Sequence, residues 1–152
     1  MNRRVVVTGI GVVAPGEPGR ESFWSMITAG RSATRTISLF DPTPFRSRIG
    51  AECDFDPQRA GLTHRQIRRT DRAGQFVLGA TREALVDSGL RLDAAGWDPG
   101  RMGVSIGNGV GNAMSMEREY RIVSDTGSSW LVDHQYATPH LYSYVMSSSL
   151  AS

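Results

Sequence analysis

Four groups of residues in this 152-residue chain have types and spacings that could do chemistry. Arg65, Arg68, Arg69 and Arg72 fall at helical offsets of zero, three, four and seven, so on one helix they would form a cationic stripe. Such a stripe is either a solvated face or a docking patch for an acidic partner, where charge steers encounter more than it sets affinity. Cys53 is the only cysteine, which excludes disulfides and cysteine-based zinc sites within the chain. As a nucleophile it would need a base or a helix N-terminus to lower its thiol pKa; Glu52 and Asp54 on either side would raise it, so a partly buried structural role is expected. The run Gly107-Asn108-Gly109-Val110-Gly111 has the form GxGxG, but a dinucleotide fingerprint needs its third glycine one position later, where Asn112 stands, and an acidic residue at a strand end about 20 positions on. These glycines read instead as a tight turn that another backbone can approach. His64, His134 and His140 share no metal-ligand spacing, and each is expected to be a surface or structural histidine.

The elements that must position these groups follow from periodicity. The β-branched run in residues 4–10 predicts a strand inside a covered sheet. Phe23, Trp24 and Ile27 predict a helix over Glu21 to Ala29, with Gly30 as its stop. From Ser32 to Gly61 no period is sustained, and Asp41-Pro42, Thr43-Pro44 and Asp56-Pro57 mark a long excursion with short strands around Arg48 to Glu52. Thr63 is a good N-cap, and Asp71 restarts or continues a helix after a bend. Phe76, Val77, Ala80, Ala84 and Ser88 predict a buried helix ending before Gly89, and Gly74, Gly79 and Ala80 give it a surface that another backbone can approach. Met102 to Gly107 predicts a second strand, and Asn112 to Ser124 a helix. The tail from Trp130 is aromatic-rich, and Ser147 to Ser152 looks like the first turns of a further helix. Two strand-helix pairs imply an α/β sheet with helices on its faces, yet so few strands cannot cover those helices. The chain is therefore expected to be part of a larger core, incomplete without a further chain or segment, and not to fold independently.

Composition is that of a globular chain, 39% hydrophobic and 21% charged. All 17 basic residues are arginine against 15 acidic ones, so the net charge of +2 is no nucleic-acid footprint. No apolar run approaches the ~18 residues of a membrane span, and the N-terminal apolar stretch is too short for a signal peptide, so a cytoplasmic protein is expected.

Several segments, in order over essentially the whole chain, resemble the N-terminal part of a β-ketoacyl synthase of the thiolase-fold condensing enzymes. They are residues 3–16, Phe23-Trp24, Phe40-Asp41-Pro42, residues 69–76 with Glu83-Ala84-Leu85, and residues 101–107. Phe45 to Ile49, Asp54 to Pro57 and Ser124 to Asp133 look most like the ketosynthase subunit of bacterial type II polyketide synthases; the chain-length-factor subunit is the runner-up and fatty-acid synthesis the third reading. The resemblance implies an α/β, thiolase-like fold and a decarboxylative Claisen condensation of acyl and malonyl units. No metal or nucleotide cofactor is implied, because substrates arrive on the phosphopantetheine of an acyl carrier protein. It also implies that the nucleophilic cysteine and two assisting histidines come from further along the family's sequence, so that this chain alone supplies no catalytic residue. Residue by residue, Arg65, Arg68 and Arg69, with Arg72 completing their stripe, correspond to carrier-protein docking positions. Val110 corresponds to the acyl pocket, and Leu141 and Tyr142 to the stretch that crosses a dimer interface to line the partner's pocket. The implied partners are the remainder of the ketosynthase, a chain-length-factor-like or second ketosynthase subunit, and the carrier protein, with neither nucleic acid nor membrane.

Overall fold

The structure is a computed structural model that describes residues 3–93, 98–109 and 113–128. It comprises two compact units, one of residues 1–63 with 76–94, the other of residues 64–75 with 95–152.

The first unit begins with a segment that runs into α1, Arg20–Thr28. Gly19 (φ 94°) introduces this helix and Gly30 (φ 65°) ends it, both in left-handed conformations that suit a residue without Cβ. Gly30 N–H donates to the Ile27 carbonyl at 3.1 Å and Arg31 N–H to the Met26 carbonyl at 3.0 Å, satisfying carbonyls that the helix end would leave bare. The long excursion forms a hairpin from two short antiparallel strands, β1 (Arg35–Thr36) and β2 (Ile49–Gly50), with Arg35 opposite Gly50 and Thr36 opposite Ile49. A turn follows in which Asp56 accepts the amides of Gln58 (2.8 Å) and Arg59 (3.2 Å).

In the second unit, α2 is His64–Arg69, followed by the start of α3, Arg72–Ser88, which continues into the first unit. A short 3-10 turn, Pro99–Arg101, is capped by Asp98, whose carboxylate accepts Gly100 N–H at 2.9 Å. Then α4 covers Ala113–Val123 and unwinds through three left-handed residues, Asp125, Thr126 and Gly127. The buried Ser124 holds that turn by accepting Gly127 N–H on its hydroxyl at 3.0 Å.

Two expectations require correction. The β-branched run in residues 4–10 and the run 102–107 join no ladder among the described residues, and Val5 and Val7 are 93% and 81% exposed. β propensity alone does not make a strand, since backbone N–H and C=O groups must meet a neighbouring chain. The long helix is also less enclosed than expected: α3 is half-buried along most of its length, with Gly74 and Gly79 buried and Val86 exposed. Leu62 is the one buried large apolar side chain among the described residues. No helix among them is long and apolar enough to cross a membrane. The aromatic tail and the expected helix at Ser147 lie outside the described residues.

Candidate functional site

The arginine stripe resolves into two parts. Arg65, Arg68 and Arg69 lie on α2 and are exposed, as is His64 at its first position. The helix stops at Thr70, so Arg72 opens α3 and is half-buried: a four-residue stripe on one helix is not formed.

Local chemistry explains the break. Thr70 bonds back to the Gln66 carbonyl through both its amide (3.0 Å) and its hydroxyl (2.7 Å), while Asp71 caps α3 by accepting Gly74 N–H at 3.1 Å. The Gln75 amide then donates to the carbonyls of Ile67 (3.2 Å) and Thr70 (3.1 Å), two groups left over by the end of α2. Gln75 thus pins the elbow that fixes how α2 presents its arginines. The sequence shows Asp71 as a cap, but nothing local to Gln75 marks it as the brace.

The small residues of α3 act as expected. A Cβ at Gly9 or Gly11 would overlap the carbonyl oxygens of Ala84 and Ala80 respectively, so the N-terminal segment lies directly on the helix backbone. Two carboxylates one turn apart on α3 hold it there. Asp87 accepts Ile10 N–H at 2.9 Å; Glu83 accepts Val12 N–H and Arg20 N–H, each at 2.7 Å. The Ile10 amide, then the ion pair with Arg20, draw the Asp87 carboxyl below its usual range. The i, i+4 spacing of Glu83 and Asp87 is visible in the sequence; the amides they meet are not.

Cys53 is half-buried and donates to the Ala14 carbonyl at 3.2 Å, consistent with the expected structural role. It borders a cavity of about 460 Å³ whose wall includes Val12, Val13, Phe55, Gly79 and Glu83. The Phe55 ring rests on Gly79 and meets Phe76 edge-on at 5.1 Å. No group of three or more metal-ligating side chains occurs among the described residues. Gly107 and Gly109 have open space around them. Val110, Leu141, Tyr142, His134 and His140 lie outside the described residues.

The model of the β-ketoacyl synthase N-terminal domain matches residues 2–151, and the chain belongs to that family. Its fold is accordingly the N-terminal portion of the thiolase-like ketosynthase architecture. Among its relatives, the chain is 54% identical over 148 residues to the tetracenomycin polyketide synthase ketoacyl synthase alpha subunit of Streptomyces glaucescens, which covers 97% of this chain and 34% of the relative. It is 38% identical over 126 residues to the 3-oxoacyl-[acyl-carrier-protein] synthase 2 of Coxiella burnetii, covering 82% of this chain and 30% of that protein. A solved structure described as the ishigamide ketosynthase/chain length factor superposes with a TM-score of 0.77 at 28% identity, over 99% of this chain and 36% of the other. The chain spans about a third of the length of these curated relatives.

Proposed function

We propose that this chain is the N-terminal part of a type II polyketide β-ketoacyl synthase that extends a carrier-bound acyl chain by decarboxylative Claisen condensation. The observation that carries this reading is the 54% identity to a polyketide ketoacyl synthase alpha subunit along nearly the whole chain, against 38% to the 3-oxoacyl synthase. In this reading the acyl group is held as a thioester on a cysteine outside these residues, and backbone N–H groups stabilise the enolate and the tetrahedral oxyanion. Substrates come on the phosphopantetheine of an acyl carrier protein, and no metal or nucleotide takes part. The chain contributes Val110 to the acyl pocket, Leu141 and Tyr142 to a dimer interface shared with a chain-length-factor-like or second ketosynthase subunit, and α2 to carrier docking. The exposure of Arg65, Arg68 and Arg69 on one short helix supports the docking role, whereas the half-buried Arg72 fits it less well.

Incubating the assembled enzyme with acyl carrier substrate and mapping the acyl adduct by mass spectrometry tests the catalytic assignment. The adduct is expected on a cysteine other than Cys53; an adduct on Cys53 overturns it. Changing Arg65, Arg68 and Arg69 together to Glu tests docking. Exposed pairs contribute ~0.2–1 kcal/mol each, so three reversals should raise the apparent KM for carrier-bound substrate roughly tenfold, with strong salt dependence, and spare a short pantetheine thioester. Equal losses on both substrates would make α2 structural, and no loss on either would make it a solvated face.

A second reading is a non-catalytic chain-length-factor-like subunit, since the solved structure on which the chain superposes is described as a ketosynthase/chain length factor and so names both subunits. The residue at the nucleophile position of the downstream segment separates the two: cysteine supports catalysis, an inert residue the alternative.

A further inference from the structure

We propose that Glu83 and Asp87 form an acid-sensitive clasp: ionised, they hold residues 10–20 on α3, and on protonation that segment is released as one piece while α3 stays folded. All of these residues lie in one compact unit. Four donors meet the two side chains. Glu83 accepts Val12 N–H on one oxygen and Arg20 N–H on the other, each at 2.7 Å. Asp87 accepts Ile10 N–H on one oxygen at 2.9 Å and pairs with the Arg20 guanidinium through the other. Every oxygen of the clasp therefore faces a donor. A proton on either carboxyl, or an amide group in its place, sets a hydrogen against a donor and breaks at least one bond.

Arg20 makes the two carboxylates one device, because its amide belongs to Glu83 and its guanidinium to Asp87. Stability falls with pH in proportion to the protons taken up, so two linked carboxyls give a steeper step than one. The charged neighbours are Glu21 on α1, 3.5 Å from Arg20; Arg82 on α3, which donates to the Gly61 carbonyl; and Asp54, Asp56 and Arg59, which border the same cavity as Glu83. The clasp also closes that cavity. Val12, Val13 and Pro18 of the held segment form part of its wall, and Gly79, Glu83 and Val86 of α3 another part. Release parts these walls and frees the Cys53 thiol from the Ala14 carbonyl.

The test follows hydrogen exchange in the assembled protein from pH 7 to 2, residue by residue and corrected for its intrinsic pH dependence. The Ile10 amide, then Arg20, hold the Asp87 carboxyl below its ordinary 3.8, so the order is full above that value and lost as pH falls through the depressed one. The amides of Ile10, Val12 and Arg20 should lose protection together, in one step between about pH 5 and 2, while those within α3 keep theirs. Asp87→Asn, and separately Glu83→Gln, should speed exchange at all three amides about tenfold at pH 7. Cys53 should react with dithiodipyridine, a disulfide reagent that stays active in acid, across the same pH window. Loss at the three amides only together with those of α3 overturns the proposal, because the event is then global unfolding. Separate steps for the three amides, or a variant that frees only the amide its own side chain accepts, also overturn it. If Glu83→Gln fails to assemble, Asp87→Asn decides.

Discussion

Replacing Gly11 with Ala tests whether the N-terminal segment is held by close backbone contact. The new methyl group would lie 2.8 Å from the Ala80 carbonyl carbon and the Ala84 amide nitrogen, and closer still to the Ala80 oxygen. Ordinary contacts begin near 3.5 Å, so the Ala80 oxygen, the nearest atom, makes the segment withdraw by roughly 1.5 Å or more from a helix whose backbone cannot yield. Over-packing of this kind costs ~1–3 kcal/mol, while the stiffer unfolded chain returns ~0.4–1 kcal/mol, leaving a net loss of up to ~2.6 kcal/mol, centred near ~1.3 kcal/mol. Gly50→Ala is the matched control, because there the new methyl meets only the Ile37 side chain, with Cγ1 at 3.2 Å and Cδ1 at 3.6 Å, and no backbone. That change should stay within about 0.5 kcal/mol of neutral. The assay is equilibrium urea unfolding of the assembled protein, combined with hydrogen exchange at Ile10 and Val12, whose amides donate to Asp87 and Glu83. Each 1.4 kcal/mol of local loosening speeds exchange about tenfold. If Gly11→Ala proved as mild as Gly50→Ala, with exchange at both amides unchanged, the contact between segment and helix would be refuted.

Acid should loosen the hairpin loop in a defined window. The Ser38 hydroxyl, then the amides of Leu39 and Ser38, then Arg35, hold the Glu52 carboxyl at about 2, against an ordinary value of 4.5. A depressed folded-state pKa contributes order that is fully present above the unfolded value and is lost as pH falls through the folded one. Exchange at Ser38 and Leu39, corrected for its intrinsic pH dependence, should therefore lose protection between about pH 4.5 and 2; in Glu52→Gln that step should vanish, and its persistence would contradict the assignment. At the elbow, Gln75→Leu should leave the Ile67 and Thr70 carbonyls without their donor, weaken α2 by about 1 kcal/mol and speed exchange at Thr70. An unchanged Thr70 would show that Gln75 is no brace.

Local signals in the sequence were enough for the helices. The Gly30 stop and the Asp71 cap depend on contacts within a turn or two of the chain, and the structure follows them closely. The short strand near Arg48 was also legible, as was the partial burial of Cys53. The expected strands at residues 4–10 and 102–107 exposed the limit of periodicity: an apolar run states a preference, and a ladder needs a partner that the run cannot name. The arginine stripe failed at its fourth member for a related reason. Helical spacing assumes one continuous helix, and the bonds of Thr70, Asp71 and Gln75 bend the chain before Arg72. Tertiary structure alone decided that Glu83 and Asp87 would collect amides about 70 residues away, and that Glu52 would order an apolar loop. Those partners are distant in sequence and are backbone groups, which every residue but proline carries alike. No pattern of side-chain types can mark in advance which of them a carboxylate will find.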